Sequence, residues 1–332
     1  MLKSLSGIGI AFCVALFPAP GGAQKLERAV LAYGSTGPNL TPFWVAREAG
    51  LHRQNGLDVD IVFFRGSTIA INALATKDAH FGSFGASSAV LARIGGVDTV
   101  LIATATPGLL FYLVTRKEIR NGKDLRGKKI AVSRPGTDSD LAARVAAQKL
   151  GLGEKDVQII SLGTDAERIA AMTQRIADAT VLTIGGYVAA QKLGFHSILD
   201  LSQANVPYEA ASLITTRTLI RENTEMVRKY VKGFVAGIHY AQTHRDATLK
   251  ILSKYMRISD PEILNASYDY YVGRVIPRTP YVSEKGLQAV IDFIRERNPQ
   301  AANVKPQEFM DNQFIKELDQ SGFIKSLYAK QP

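Results

Sequence analysis

Six short segments rich in glycine and hydroxyl-bearing residues each follow an apolar run of the chain. Such segments leave main-chain N–H groups open to an acceptor, and a helix that starts there adds the positive end of its dipole. Each segment alone is equally consistent with an ordinary helix cap, so the prediction of an anion-binding site depends on the whole set. The predicted ligand contacts in and beside these segments are Ser35, Thr36, Asn39, Gly66, Ser67, Gly85, Ala86, Ser87, Gly136, Thr137, Asp138, Ser139 and Gly185.

The segment 132–139 is expected to supply the chief contacts. Gly136 lets the main chain approach a ligand closely, and Thr137 and Ser139 add hydroxyls beside the first turn of a helix. Arg134 either pairs with an anionic head group or faces solvent. Asp138 and Asp165 are each either a carboxylate of the cleft or a helix-capping residue.

Three aromatic residues near these segments are predicted to line the same site: Phe43, Tyr187 and Tyr208. Phe43 also has the spacing of a core residue on a helix face. Tyr208 lies in a proline-containing loop, where packing is less demanding, which favours a ligand contact.

The sequence contains no recognisable catalytic or metal-binding pattern. His239 and His244 are five residues apart, which does not place two imidazoles on one helix face, and no Gly-x-Ser-x-Gly motif occurs. Cys13 is the single cysteine and lies in the N-terminal apolar run. We therefore expect no enzyme activity, no cofactor and no metal.

Short strand-like runs alternate with amphipathic helical segments, which is typical of parallel βαβ units in an α/β protein. Helical periodicity alone continues from about Glu222 to the end. The stretches 75–85 and 174–185 are faintly similar, which indicates either two lobes of similar construction or chance. Strands are predicted at 29–33, 59–64, 79–83, 100–105, 111–115, 129–132, 157–161, 179–183, 197–201 and 212–216.

Residues 1–23 have the order of a secretory signal peptide: Lys3, then an apolar run, then small residues and prolines. The run is shorter than the roughly 20 residues that a membrane-spanning helix needs. The formal net charge is +10, and the basic residues are scattered. This charge favours anionic solutes, and a nucleic-acid partner is not expected.

The stretch from Pro42 to Asp60 resembles the opening helix and second strand of the nitrate, sulfonate and taurine type of ABC solute-binding proteins, a family that includes thiamine-precursor-binding members. The stretches Asp124–Ser133 and Glu317–Ile324 also resemble this family. The resemblance implies a type II periplasmic-binding fold, with two α/β lobes, two hinge crossovers and a ligand cleft between them. Lobe one would comprise 24–110 and 217–332, and lobe two 111–216, with crossovers near 111–115 and 212–216.

The resemblance also implies a function: a monomeric periplasmic protein that captures a small solute and delivers it to an ABC permease and its ATPase. Sulfonates, nitrate, taurine, aromatic carboxylates and pyrimidines are the solute types of the family. Two alternatives remain open at this point. One is an enzyme of the pyrimidine-forming thiamine-biosynthesis type on the same fold, and the other is the binding component of a TRAP or sensor system.

Overall fold

The computed structural model describes residues 25–329, which fold into two five-stranded sheets. The predicted signal peptide, residues 1–23, lies outside the described residues. All ten predicted strands are present within two residues of their expected ends. They are β1 (Glu27–Tyr33), β2 (Leu57–Phe63), β3 (Phe81–Phe84), β4 (Thr99–Thr104), β5 (Tyr112–Thr115), β6 (Lys129–Val132), β7 (Gln158–Ser161), β8 (Ala179–Leu182), β9 (His196–Asp200) and β10 (Ser212–Thr216).

Helices cover both sheets, as the predicted α/β class requires. They are α1 (Thr41–Glu48), α2 (Ser67–Ala70), α3 (Asn72–Ala75), α4 (Ala86–Ile94), α5 (Asp138–Lys149), α6 (Asp165–Thr173), α7 (Ile184–Lys192), α8 (Arg217–Glu222), α9 (Thr224–Thr243), α10 (Arg245–Met256), α11 (Pro261–Tyr270), α12 (Glu284–Arg295), α13 (Gln313–Gln320) and α14 (Phe323–Ala329). A π-helical turn, Tyr271–Val275, continues α11. None of the helices in residues 25–329 has both the length and the apolar composition that crossing a bilayer demands.

The two sheets have the same construction. The first has the strand order β2-β1-β3-β10-β4 and the second β7-β6-β8-β5-β9. In each sheet three parallel strands are followed by an antiparallel one, β10 or β5. The faintly similar stretches of the sequence contain β3 and β8, which occupy equivalent third positions. This placement favours two lobes of similar construction over chance.

The chain passes between the lobes through two connections, one between β4 and β5 and the other between β9 and β10. The connections pair with each other: the Gly108 N–H donates to the Tyr208 carbonyl at 2.7 Å, and the Ala210 N–H donates to the Thr106 carbonyl at 2.9 Å. Pro107 and Glu209 form an antiparallel bridge between them. The two lobes are therefore joined by one hydrogen-bonded ribbon.

The expected positions of the crossovers differ from the observed ones. The family resemblance implies that residues 212–216 belong to lobe two, but β10 pairs with β3 and β4 inside the first sheet. Likewise, 112–115 is the strand β5 of the second sheet and not a linker. The physical reason is that an extended connection and a buried strand have the same local signal, a short apolar run rich in β-branched residues.

The predicted C-terminal helical region returns to the first lobe, where α9 packs against α1 and Phe43 contacts Phe234 at 4.7 Å between ring centroids. Helix α11 is the exception, because it packs against α7 of the second lobe. Gly185 permits this contact, since a Cβ there would lie 2.6 Å from the Ser267 hydroxyl. An ion pair from Lys192 to Asp260, at 2.5 Å, flanks it.

Candidate functional site

A cavity of about 70 Å³ lies between the lobes, at the carboxyl ends of the parallel strands of both sheets. We call it the chamber. Ligands of open parallel sheets bind at this edge, because the turns there lead into helix N-termini. Eight of the predicted ligand contacts line the chamber: Ser35, Thr36, Asn39, Gly66, Ser67, Thr137, Asp138 and Ser139.

Main-chain donors reach the chamber from both lobes. The N–H groups of Ser35 and Ser67, from the turns after β1 and β2, have no hydrogen-bond acceptor among residues 25–329. The same holds for the N–H groups of Ser139 and Asp165 in the first turns of α5 and α6. Four open donors around one small cavity suit an anionic or strongly accepting group.

Three hydroxyls of the turn between β6 and α5 bond to one another. Ser133 Oγ lies 2.9 Å from Thr137 Oγ1 and 3.0 Å from Ser139 Oγ, and the Thr137 and Ser139 hydroxyl oxygens are 3.0 Å apart. The Thr137 hydroxyl donates its proton to the Arg134 carbonyl at 2.7 Å. Thr137 therefore holds the shape of the turn, and the Ser133 and Ser139 hydroxyls are the more available donors to a ligand.

Arg168 forms the floor of the chamber in the second lobe. Its buried guanidinium donates to the Gly163 carbonyl at 2.6 Å, to the Val181 carbonyl at 3.0 Å and to Asp165 Oδ1 at 2.5 Å. The Thr183 hydroxyl donates to the other oxygen of Asp165 at 3.2 Å. The Arg168–Asp165 ion pair is therefore fixed beside the chamber, and its two charges compensate each other.

Asp138 connects the chamber to the hinge. The Tyr208 hydroxyl, from the second crossover, donates to Asp138 Oδ1 at 2.6 Å and lies 2.9 Å from the Ser87 hydroxyl of the first lobe. Burial raises the pKa of Asp138 to about 6, against the opposing hydrogen bonds from Tyr208 and Ser87. Asp138 thus changes its charge close to neutral pH, and it does so where the two lobes and the hinge meet.

This pKa predicts a pH dependence of anion binding. An ionised Asp138 repels an anion in the chamber and a protonated one does not, so affinity should rise as pH falls through about 6. If only the protonated form binds, affinity for a sulfonate probe increases about tenfold from pH 7 to pH 5. Calorimetry at several pH values measures this change. Asp138→Asn should make the affinity independent of pH, and a pH dependence that persists in this variant would assign the effect to another group.

Other predicted contacts lie at the interface of the lobes and not on the chamber wall. The Gly136 carbonyl accepts hydrogen bonds from the Ser87 and Ser88 hydroxyls at 3.1 and 3.2 Å. Gly85 lies against the Asp138 carboxyl, so close that a Cβ there would be 1.6 Å from Oδ1. Ala86 starts α4 beside them and is buried. These residues bring the lobes together around the chamber.

The remaining predicted contacts are placed elsewhere. Phe43 is buried in the core of the first lobe. Gly185 faces α11, and Tyr187 stacks on Tyr112 at 4.6 Å between ring centroids, so neither lines the chamber. Tyr208 reaches the site only through Asp138. The aromatic residues that do line the chamber are Phe63 and Phe111.

Nine chamber residues were not among the predicted contacts: Gly34, Phe63, Arg65, Phe111, Ser133, Gly163, Thr164, Arg168 and Thr183. Gly163 and Thr164 form the turn before α6, and Asp165, a candidate cleft carboxylate, follows them directly and lines the chamber. The sequence did not indicate Arg168 as a site residue, because an arginine in the first turns of an amphipathic helix has the pattern of a solvated residue. Among residues 25–329, no group of three or more His, Cys, Asp or Glu side chains is placed to hold a metal ion.

Residues 37–248 match the family model described as NMT1/THI5 like. No curated protein matches the sequence. Solved structures do match. One is a protein from Bordetella bronchiseptica, with a TM-score of 0.78 and 20% identity over 89% of this chain and 97% of that one.

Two further structures carry functional descriptions. The alkanesulfonate-binding protein SsuA from Xanthomonas axonopodis pv. citri, bound to MOPS, has a TM-score of 0.72 and 16% identity, with 87% of this chain and 100% of that chain covered. The nitrate-binding protein NrtA from Synechocystis has a TM-score of 0.72 and 12% identity, with 90% of each chain covered. The fold class and the family resemblance predicted from the sequence are confirmed. This chain belongs to the NMT1/THI5-like family and has the fold of the periplasmic solute-binding proteins of ABC importers.

Proposed function

We propose that this chain is the periplasmic solute-binding component of an ABC importer and that it captures a small organic anion in the chamber. The observation that carries the proposal is the chamber itself, where open N–H donors from four turns of two lobes converge beside a buried arginine. Export by the segment 1–23 would bring the protein to the periplasm as a monomer. A permease with its ATPase is the proposed acceptor of the solute.

Binding without turnover is part of the proposal. No histidine of the described chain lines the chamber, so the Ser133, Thr137 and Ser139 hydroxyls have no imidazole base to activate them. These hydroxyls bond to each other instead. Hydroxyls that are engaged with one another, beside fixed N–H donors, support recognition and release of an unchanged solute.

A thermal-shift screen of the protein against small organic anions tests the proposal. Sulfonates are the first probes, because a neighbour in fold is described as alkanesulfonate-binding and was bound to MOPS. A solute at 100 times its dissociation constant adds about 2.7 kcal/mol to the free energy of unfolding, which is easily measured. Chemical conversion of a bound compound, seen by mass spectrometry, would contradict the proposal and favour an enzyme.

Small-angle scattering supplies the second measurement. Two lobes on a hydrogen-bonded hinge ribbon rotate with little internal change, so a bound solute should lower the radius of gyration. A variant that lacks the hydroxyl of Tyr208, Tyr208→Phe, loses the contact between hinge and chamber and should close less completely at the same solute concentration. An unchanged radius with a saturating, tightly bound solute would argue against closure.

A further inference from the structure

The cleft continues outward from the chamber into a much larger groove of about 970 Å³, which we call the outer groove. The two spaces form one continuous cleft, because six residues line both: Thr36, Phe63, Arg65, Thr164, Asp165 and Thr183. A molecule held in the chamber therefore has a direct route into the outer groove.

The size of the chamber limits what it holds. A cavity of about 150 Å³ holds one benzene ring, and the chamber, with about 70 Å³, has roughly half that volume. A sulfonate or carboxylate head group fits that space, and an attached ring does not. Any organic anion larger than its head must extend into the outer groove.

The wall of the outer groove in the first lobe carries three aromatic rings beside the cationic side chains of Arg65, Lys254 and Arg257. Tyr33 and Phe63 pack with their ring centroids 5.4 Å apart, and Phe63 keeps 36% of its surface exposed. Tyr255 is held rigidly beside them, because its ring stacks on Trp44 and its hydroxyl donates to Glu48 at 2.7 Å. Rings fixed in this way present faces and edges to a ligand without an entropic cost of ordering.

The opposite wall belongs to the second lobe and combines aliphatic side chains with the polar side chains of Glu167, Thr173 and Gln174. Ile169 and Ala170 of α6 line it, together with Leu193 at the end of α7. Leu193 is 59% exposed, so its side chain is available to a ligand in the groove. Because the side chain of Ala170 is small, it leaves space for a ligand between the two walls. Because the walls come from different lobes, the outer groove exists only when the lobes are close together.

We infer that the solute carries an aromatic body that occupies the outer groove while its anionic head occupies the chamber. The inference rests on the proposed solute-binding function and adds the class of solute. The aromatic rings of the first wall and the aliphatic side chains of the second bury the body of the solute, and the open N–H groups fix its head. A bare small anion such as nitrate would fill the chamber and leave the groove empty.

Two series of probes with constant heads and growing bodies test the inference: methanesulfonate, benzenesulfonate and 2-naphthalenesulfonate, and acetate, benzoate and 2-naphthoate. Calorimetry gives the dissociation constants. In the series whose head the chamber accepts, affinity should rise at least tenfold from the one-carbon body to the naphthyl body, because apolar burial contributes about 25 cal/mol per Å². Equal affinities within a series would overturn this inference and leave the solute-binding function standing. Binding of no probe would overturn both.

A pair of variants tests whether the gain in affinity for the larger bodies arises in the outer groove. Ala170→Trp fills the space between the walls and should reduce the naphthyl-to-methyl affinity ratio to about one. Ala302→Trp places the same side chain at an exposed position outside the groove and should keep the wild-type ratio. A ratio that survives Ala170→Trp would show that the aromatic body binds elsewhere.

Discussion

Replacement of Gly85 by alanine is expected to abolish closure of the lobes and to weaken solute binding about a hundredfold. The added Cβ would lie 1.6 Å from Asp138 Oδ1, and the hydrogen bond from the Tyr208 hydroxyl holds that carboxyl in place. Separation of the lobes relieves the clash. A hundredfold loss corresponds to about 2.7 kcal/mol, within the cost of overpacking a tight contact.

Calorimetry and small-angle scattering measure both parts of this result. The backbone at Gly85 is extended, with φ of −78°, so alanine introduces no strain in the first lobe and its fold should be preserved. Gly273→Ala is a suitable control, because a Cβ there meets no atom within 4 Å. Wild-type affinity in Gly85→Ala would show that the binding state does not need this contact between the lobes.

Arg168→Met is expected to lower the free energy of unfolding by about 3 kcal/mol and to abolish anion binding. The guanidinium is buried and donates four hydrogen bonds, to Thr180, Gly163, Asp165 and Val181. Its removal leaves Asp165 without its positive partner, and breaking a buried ion pair from one side typically costs 3 to 5 kcal/mol. We expect a cost at the lower end of this range, because Asp165 keeps partial contact with solvent.

Denaturant unfolding of a set of variants separates the loss of stability caused by the unpaired charge of Asp165 from the loss caused by poorer packing. Asp165→Asn in the Arg168→Met background removes the orphaned charge and should recover part of the loss, a coupling that a double-mutant cycle measures. Arg175→Met changes an exposed arginine just beyond α6 and should stay within about 0.5 kcal/mol of the wild type. Simple additivity of the two single changes would mean that Arg168 and Asp165 do not act as a pair.

The sequence allowed the strands and the edge of the site to be predicted, because both depend on local patterns. Short apolar runs rich in Val, Ile and Phe predicted all ten strands, and the turns after β1, β2 and β6 do line the chamber. Local patterns did not predict which residues of a turn face the chamber. The turn after β8 contributes Thr183 to the chamber, while Gly185 turns toward α11, a helix some 80 residues later in the chain.

Long-range contacts explain the other differences. Phe43 packs in the core because α9 covers α1, and nothing near Phe43 in the sequence indicates that helix. Arg168 lies at the chamber because its guanidinium bonds to Thr180 and Val181 on the neighbouring strand β8. A buried arginine and an exposed one have the same local sequence pattern, so burial follows from the tertiary arrangement alone.

The position of β10 inside the first sheet has a consequence for the order in which the lobes fold during synthesis. The second sheet is built from one continuous stretch, β5 to β9, so its strands are all available once residue 200 has been made. The first sheet lacks the strand between β3 and β4 until residues 212–216 emerge, and α9 follows later still. Until then β3 and β4 have open edges, which makes the nascent first lobe the part most prone to mispairing and most in need of a chaperone.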